Sequence, residues 1–264
     1  MNKTPTIIVT VKNRLEHFYK TFPFYVTQVG VDYRLMYVNY DSEDNFETHL
    51  LTEIEKKKDT FSKNLKQIIQ VKLEKPSKFD VRKSKNLGVA YAQNYSDLFV
   101  FSDNDALLGM GYLNKWVPFV KRNKTFVTNR VQESRAALPR RITPPVNYGN
   151  IIIHSEDYLN VSGFDESMTG WGGDDDDLFH RLKLNGLREI NPYDENEACQ
   201  YSILHDDELR FACIENPSDP REKDLDAAFK SIYSNTNTIS KESNYLNTDF
   251  IKNISNEKVL YEHE

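Results

Sequence analysis

The sequence predicts an α/β fold with a mostly parallel central sheet flanked by helices. Three observations lead there. Continuous β-rich apolar runs, such as Thr6-Ile7-Ile8-Val9-Thr10-Val11 and Asp97-Leu98-Phe99-Val100-Phe101, lack the alternation of a half-exposed strand and read as strands buried on both faces. Segments of helical periodicity separate such runs, which is the order of βαβ units. Each run also stops at polar residues: Lys12 to Arg14, Asp41, and Ser102 to Asp105. In open parallel sheets, ligands bind at the carboxyl ends of the strands.

The elements follow in order. After the first strand a helix begins at about Leu15 and is disturbed at Pro23, which lacks an amide donor. Tyr33 to Tyr40 reads as the second strand and Gln67 to Leu73 as the third, with a Lys-rich helical stretch from about Glu47 to Leu65 between them. Val81 to Asn94 reads as a helix with Leu87, Val89, Ala90 and Ala92 facing inward. The strand ending at Phe101 runs into Ser102-Asp103-Asn104-Asp105. In the second half, Gly149 to Ile153 is a strand, Glu156 to Val161 a short helix and 163–173 a glycine-containing loop. An acidic helix and a strand around Tyr201 to His205 come next. Beyond about Glu222 the chain is polar, and it reads as a peripheral helix, Asp224 to Tyr233, with a loosely held tail.

The 264 residues suit one large domain, or one and a half small ones, with a sizeable core. A net charge of −6 speaks against a general nucleic-acid binder. No apolar run approaches the roughly 20 residues of a membrane-spanning helix. Met1 to Pro5 leads into the first strand without a signal-peptide pattern, and Cys199 and Cys213 form neither a disulfide framework nor a metal-ligand spacing. A cytoplasmic protein is expected, at most peripheral to a membrane through a partner or acceptor.

The densest chemistry lies in Gly170-Trp171-Gly172-Gly173-Asp174-Asp175-Asp176-Asp177. Acidic residues suit a helix start, where they complement the macrodipole. That does not explain the preceding tryptophan and glycines. A tryptophan beside carboxylates suits a sugar, whose C–H face stacks on the ring while its hydroxyls donate to the carboxylates. Gly170, Gly172 and Gly173 would supply hinges for a closing loop. At the other strand end, Asp103-Asn104-Asp105 can converge on a hard cation, although Asp and Asn also occur there simply as turn formers. His205 ends another strand, and a mixed carboxylate and imidazole shell favours Mn2+, with Mg2+ the alternative. Lys12, Arg14, Arg82, Lys83 and Lys85 are candidate phosphate or base contacts, each also readable as a solvated charge. There is no glycine-rich phosphate loop of the Walker or dinucleotide kind.

Together these stretches resemble the nucleotide-sugar glycosyltransferases of the GT-A fold, nearest the beta-1,4-galactosyltransferase and chondroitin polymerase type of glycosyltransferase families two and seven. Ile8 to His17 is similar to a first-strand motif ending Arg-Asn-Arg-x-Glu-His, Lys85-Asn86-Leu87-Gly88 to Arg-Asn-x-Gly, and Asp103 to Asp105 to Asp-x-Asp. Gly163-Phe164-Asp165-Glu166 with Trp171 to Asp176 is similar to Gly-Phe…Trp-Gly-Gly-Glu-Asp-Asp, the most specific of the four. The resemblance spans roughly residues 6–220.

By that resemblance, residues 1–221 form a GT-A domain, with a nucleotide-binding half at about 1–108 and an acceptor and catalytic half at about 109–221. Residues 222–264 would be the peripheral extension. The implied reaction moves a hexose or N-acetylhexosamine from a UDP-sugar to a glycan hydroxyl, inverting the anomeric centre, in surface polysaccharide or glycoconjugate synthesis. Asp175 is the implied base. Asp105 and His205, with Asp103, are the implied Mn2+ ligands. Thr10, Lys12, Arg14, Asp41, Arg82, Lys85, Asp103 and Asn104 would contact the nucleotide and diphosphate. Gly149, Asn150, Trp171, Gly173 and Asp174 would hold the donor sugar; Trp171, Asp175 and Asp176 would face the acceptor.

Three departures stand out. Asp174 replaces a glutamate, Asn39 to Asp44 replaces Asp-Asp-Gly-Ser-x-Asp, and Ser202 stands where animal galactosyltransferases place a metal-binding methionine. The uracil contact is left among Tyr40, Asp41 and Asp44. Two other classes compete. A metal-dependent nucleotidyltransferase accounts for Asp103 and Asp105 but not the Trp-Gly-Gly segment. An inactive nucleotide-sugar or glycan-binding module needs no base.

Overall fold

The computed structural model describes residues 4–73, 79–128, 149–168, 173–192, 199–203 and 255–263. The first half alternates as expected: β1 (Thr6–Val11), α1 (Leu15–Val26), β2 (Tyr33–Asn39), α2 (Phe46–Lys57), β3 (Leu65–Leu73), α3 (Val81–Ala92) and β4 (Leu98–Asp103). Then come β5 (Ala106–Leu108), α4 (Tyr112–Trp116), β6 (Thr125–Thr128), β7 (Ile151–His154), α5 (Ser155–Asn160), α6 (Asp174–Leu184), β8 (Arg188–Ile190), β9 (Gln200–Ser202) and β10 (Ser255–Glu262). The main sheet has eight strands in the order β10-β3-β2-β1-β4-β7-β6-β8, and β5 pairs with β9 in a second small sheet. β3, β2, β1 and β4 are mutually parallel. β7 runs antiparallel to both β4 and β6, and β6 and β8 are parallel.

The unbroken apolar strands are explained by helices on both faces. Successive residues of β1, β2, β4 and β7 enter opposite cores. Ile8, Val38, Phe101 and Ile153 join Leu87, Tyr158, Leu178 and Leu182 on the face covered by α3, α5 and α6. Ile7, Tyr37, Val100 and Ile152 join Phe18, Phe46, Leu113 and Trp116 beneath α1, α2 and α4. The three-layer arrangement aligns the carboxyl ends of β1 to β4 along one edge.

Several expectations change. α1 continues through Pro23, because the buried Phe18, Phe22, Tyr25 and Val26 hold it on the sheet and the lost bond falls near its end. The helical stretch after β2 ends at Lys57 in a short 3-10 turn, and β3 starts at Leu65. The tail is not loose at its far end: residues 255–262 form β10, antiparallel to β3. Tyr91 on α3 bonds Ser255, and Tyr95 donates to Glu257. The expected helix at Asp224 to Tyr233 lies outside the described residues.

Candidate active site

The β4 end carries the first group. Asp103 is its last residue, Asn104 and Asp105 form a turn, and β5 starts at Ala106. Asp105 therefore stands in a turn beyond the strand. The Asp103 amide donates to Asn150 Oδ1 at 3.1 Å. On the other side, Asn104 Nδ2 donates to the Arg14 carbonyl (3.1 Å) and Thr21 Oγ1 lies 3.3 Å from Asn104 Oδ1. β9 returns along β5, and the Ile203 amide, two residues before His205 in sequence, donates to the Asp105 carbonyl at 2.7 Å. His205 itself lies outside the described residues, as does Trp171.

α6 supplies the second group. Gly173 is its N-cap with φ +77°, a left-handed conformation that favours glycine. Asp174 is buried in the first turn, Asp175 is partly exposed and Asp176 is exposed. Asp177 is not a solvated cap. It is buried and holds Arg181, itself wholly buried, through two bonds of 2.7 and 2.9 Å, while Arg181 also donates to the Val161 carbonyl. Residues 174, 177, 178, 181 and 182 form the inward stripe, so the helix spacing separates the four aspartates by burial.

Lys85 joins the two groups. It is 2% exposed, with Nζ 3.4 Å from Asp103 Oδ1, 3.6 Å from Asp175 Oδ1 and 3.3 Å from the Gly149 carbonyl. The ammonium also lies 4.8 Å from the centre of the Phe164 ring. Lys85 is thus a buried counter-ion between two candidate carboxylates. Gly149 is pressed against Asp103 and Lys85, and a Cβ there would collide with the Asp103 carboxylate.

The electrostatics follow. Burial would lower the Lys85 ammonium, but Asp103, Asp175 and Asp174 outweigh it and hold Lys85 firmly charged. Burial pushes the Asp103 carboxyl up against the pull of Lys85, with Asp105 and Asp174 adding to the rise. Asp175 is pushed up to about 7, first by burial and then by Asp174, Asp103 and Asp176, with Lys85 opposing. Asp175 Oδ1 is buried without a hydrogen-bond partner, as is Asn150 Nδ2.

Other predicted residues lie along the same sheet edge, where Thr10 is the register partner of Asp103. Thr10 is buried in β1. Lys12 donates to the Asp41 carbonyl at 2.5 Å, tying the loops after β1 and β2. Arg14 is the N-cap of α1, and Asp41 has φ +54°. Arg82 is held by Asp80, the N-cap of α3, through two 3.0 Å bonds.

Sequence reasoning missed what holds these parts together. Asn86 is wholly buried; its Nδ2 donates to the Phe164 carbonyl and Glu166 Oε1, both at 2.9 Å. Its Oδ1 accepts from the Phe164 amide (3.1 Å) and the Tyr158 hydroxyl. Lys85-Asn86 thus fastens the Gly163 to Glu166 segment beside Asp175. Adjacent lysine and asparagine in a helix gave only their motif resemblance as a signal.

Among the described residues no three His, Cys, Asp or Glu side chains form a cation site. Asp103 and Asp105 are two hard oxygen donors, and their mutual repulsion contributes to the raised Asp103 carboxyl. That crowding fits a divalent cation, which would relieve it.

Comparison with known proteins agrees. A family profile described as the N-terminal domain of galactosyltransferase matches residues 139–205. Human chondroitin sulfate synthase 3 is 40% identical over 58 residues, 22% of this chain and 6% of that protein. Mouse beta-1,4-galactosyltransferase 2 is 28% identical over 100 residues, 36% of this chain and 24% of that protein. The chain thus spans a quarter or less of the length of these relatives. A Pyrobaculum calidifontis mannosyltransferase, solved with GDP-Man and Mn2+, superposes with a TM-score of 0.56 at 17% identity, over 74% of this chain and 56% of that one. The chain has the GT-A glycosyltransferase fold. Two further GT-A structures match: Staphylococcus aureus TarS 1–349 with UDP and a Drosophila beta-1,4-galactosyltransferase 7 mutant with manganese, UDP-Gal and xylobiose. TarS has a TM-score of 0.58 at 16% identity, over 94% of this chain and 69% of that one. The Drosophila enzyme has 0.52 at 13%, over 83% and 79%. This chain is related in sequence and fold to the nucleotide-sugar glycosyltransferases.

Proposed function

We propose that this chain transfers a hexose or N-acetylhexosamine from a UDP-sugar to a hydroxyl of a glycan acceptor, with inversion and with Asp175 as base. One observation carries the proposal: Asp175 lies beside Lys85 and the Asp103 turn with an unbonded carboxylate oxygen and a carboxyl raised to about 7. A carboxylate tuned toward neutrality suits proton abstraction near neutral pH. The galactosyltransferase profile over 139–205 and the manganese and UDP-Gal bound by the Drosophila neighbour support the donor class.

In this reading the nucleotide lies along the carboxyl ends of β1, β2 and β4, near Thr10, Lys12, Arg14 and Asp41. Asp105 and His205, with Asp103, would hold Mn2+, or Mg2+ in its place; the ion would neutralise charge on the departing diphosphate. Gly149, Asn150 and Asp174 border the donor sugar. Asp176, exposed one residue beyond the base, would meet the acceptor, and Trp171 is assigned to it by its sequence motif. Asp175 accepts the proton of the acceptor hydroxyl as that oxygen bonds to the anomeric carbon. The bond from that carbon to the diphosphate oxygen breaks, UDP leaves with the electron pair, and the configuration inverts. Lys85 keeps its charge throughout and steadies Asp103 and Asp175.

A screen of UDP-sugars by UDP release, with Mn2+, a Mg2+ control and glycan acceptors, tests this. Release from one UDP-hexose or UDP-N-acetylhexosamine, lost on chelation, is the expected result. Donor binding without turnover under every condition would replace it with the inactive-module reading.

A further inference from the structure

We infer that Tyr25 is a positioning residue for the carboxylate turn. Its hydroxyl on α1 locks the Asp103-Asn104-Asp105 backbone that presents the two acidic side chains. The inference rests on the proposed metal and donor role of that turn.

Tyr25 is wholly buried on the sheet-facing side of α1. Its hydroxyl oxygen lies 2.9 Å from the Asp103 carbonyl, 2.9 Å from the Ala106 carbonyl and 3.0 Å from Ser102 Oγ. The two carbonyls bracket the turn. One hydroxyl proton is shared between them, and the Ser102 hydroxyl can donate to the same oxygen. The turn therefore cannot open or rotate without leaving a buried phenol unbonded, which costs more than an ordinary solvent-exposed bond.

The same helix holds the turn at two further points. Thr21, one turn earlier, lies against Asn104 Oδ1, and the Arg14 carbonyl receives Asn104 Nδ2. Arg14, Thr21 and Tyr25 recur at the spacing of one helix face. The Tyr33 hydroxyl in turn donates to the Tyr25 carbonyl at 2.8 Å, fixing the end of α1 to β2. Every side-chain contact here ends on the segment between Ser102 and Ala106 or on the helix gripping it. The chemistry served is cation and diphosphate binding.

The test compares Tyr25→Phe, which keeps the ring, with Tyr91→Phe, which removes a hydroxyl contact to Ser255 far from the turn. Mn2+ binding is read from the free-ion electron paramagnetic resonance signal, with Mn2+ alone and with added UDP; melting temperature is recorded for each variant. Tyr25→Phe is expected to weaken Mn2+ binding about tenfold, the scale of losing a buried bond. Tyr91→Phe is expected to bind Mn2+ like the wild type while losing comparable thermal stability. If Tyr25→Phe folds poorly, Thr21→Val is expected to weaken binding in the same direction, by about threefold. Unchanged Mn2+ binding in Tyr25→Phe, or equal weakening in Tyr91→Phe, overturns the inference. A wild-type protein that binds no Mn2+ overturns the metal reading itself, a separate result.

Discussion

Asp103, Asp105 and Asp175 could be picked out residue by residue, because carboxylates grouped at a strand end and a helix start repel one another and ask for a reason. Lys85 could not. In sequence it is one basic residue among several at the start of a helix, and only the fold reveals that it is buried between two acids. Nor does the sequence tell that Asp177 and Arg181, one helical turn apart, are buried together as a pair. The raised Asp175 carboxyl makes a prediction at this scale. Its upward shift means that the carboxyl, the proposed base, becomes ionised only as pH climbs toward about 7. Initial-rate profiles at saturating Mn2+ should therefore show kcat/KM rising up to about pH 7 and levelling only above it. A flat profile from pH 5 to 8, roughly, would mean another group takes the proton.

At the scale of elements, α3 does three jobs with four successive residues: Lys85 balances charge, Asn86 clamps the Gly163 to Glu166 segment, and Gly88 lets the helix approach the sheet. A Cβ on Gly88 would lie 2.6 Å from Ile8 Cγ2 and 3.0 Å from Val38 Cγ2. Alanine in a helix interior ordinarily adds about 1 kcal/mol relative to glycine. Here the collision with two buried strand residues should reverse the sign. Gly88→Ala is expected to destabilise by about 1–3 kcal/mol in urea unfolding. A stabilised variant would show that α3 does not depend on this close approach. The motif was visible in the sequence as a spacing; the glycine's reason was not, because it depends on two strands distant in the chain.

For the whole molecule, the alternating half was legible because β1 and β4 are buried on both faces and so read as nearly unbroken apolar runs. β10 was not. Ser255 to Glu262 is an edge strand that is mostly exposed, and its register with β3 joins residues nearly the whole chain apart. Such a strand has no periodic apolar signature. The organisation that results sets a turn from the β4 end against a helix start, with Lys85 between them and α1 behind. Its central claim is that this junction is a glycosyl-transfer site with Asp175 as base. The most direct measurement is kcat for UDP release by Asp175→Asn, alongside its affinity for the donor with Mn2+. Donor affinity within about threefold of the wild type, with kcat lower by about a hundredfold or more, is the predicted result. Asp175→Asn turning over at the wild-type rate would contradict it.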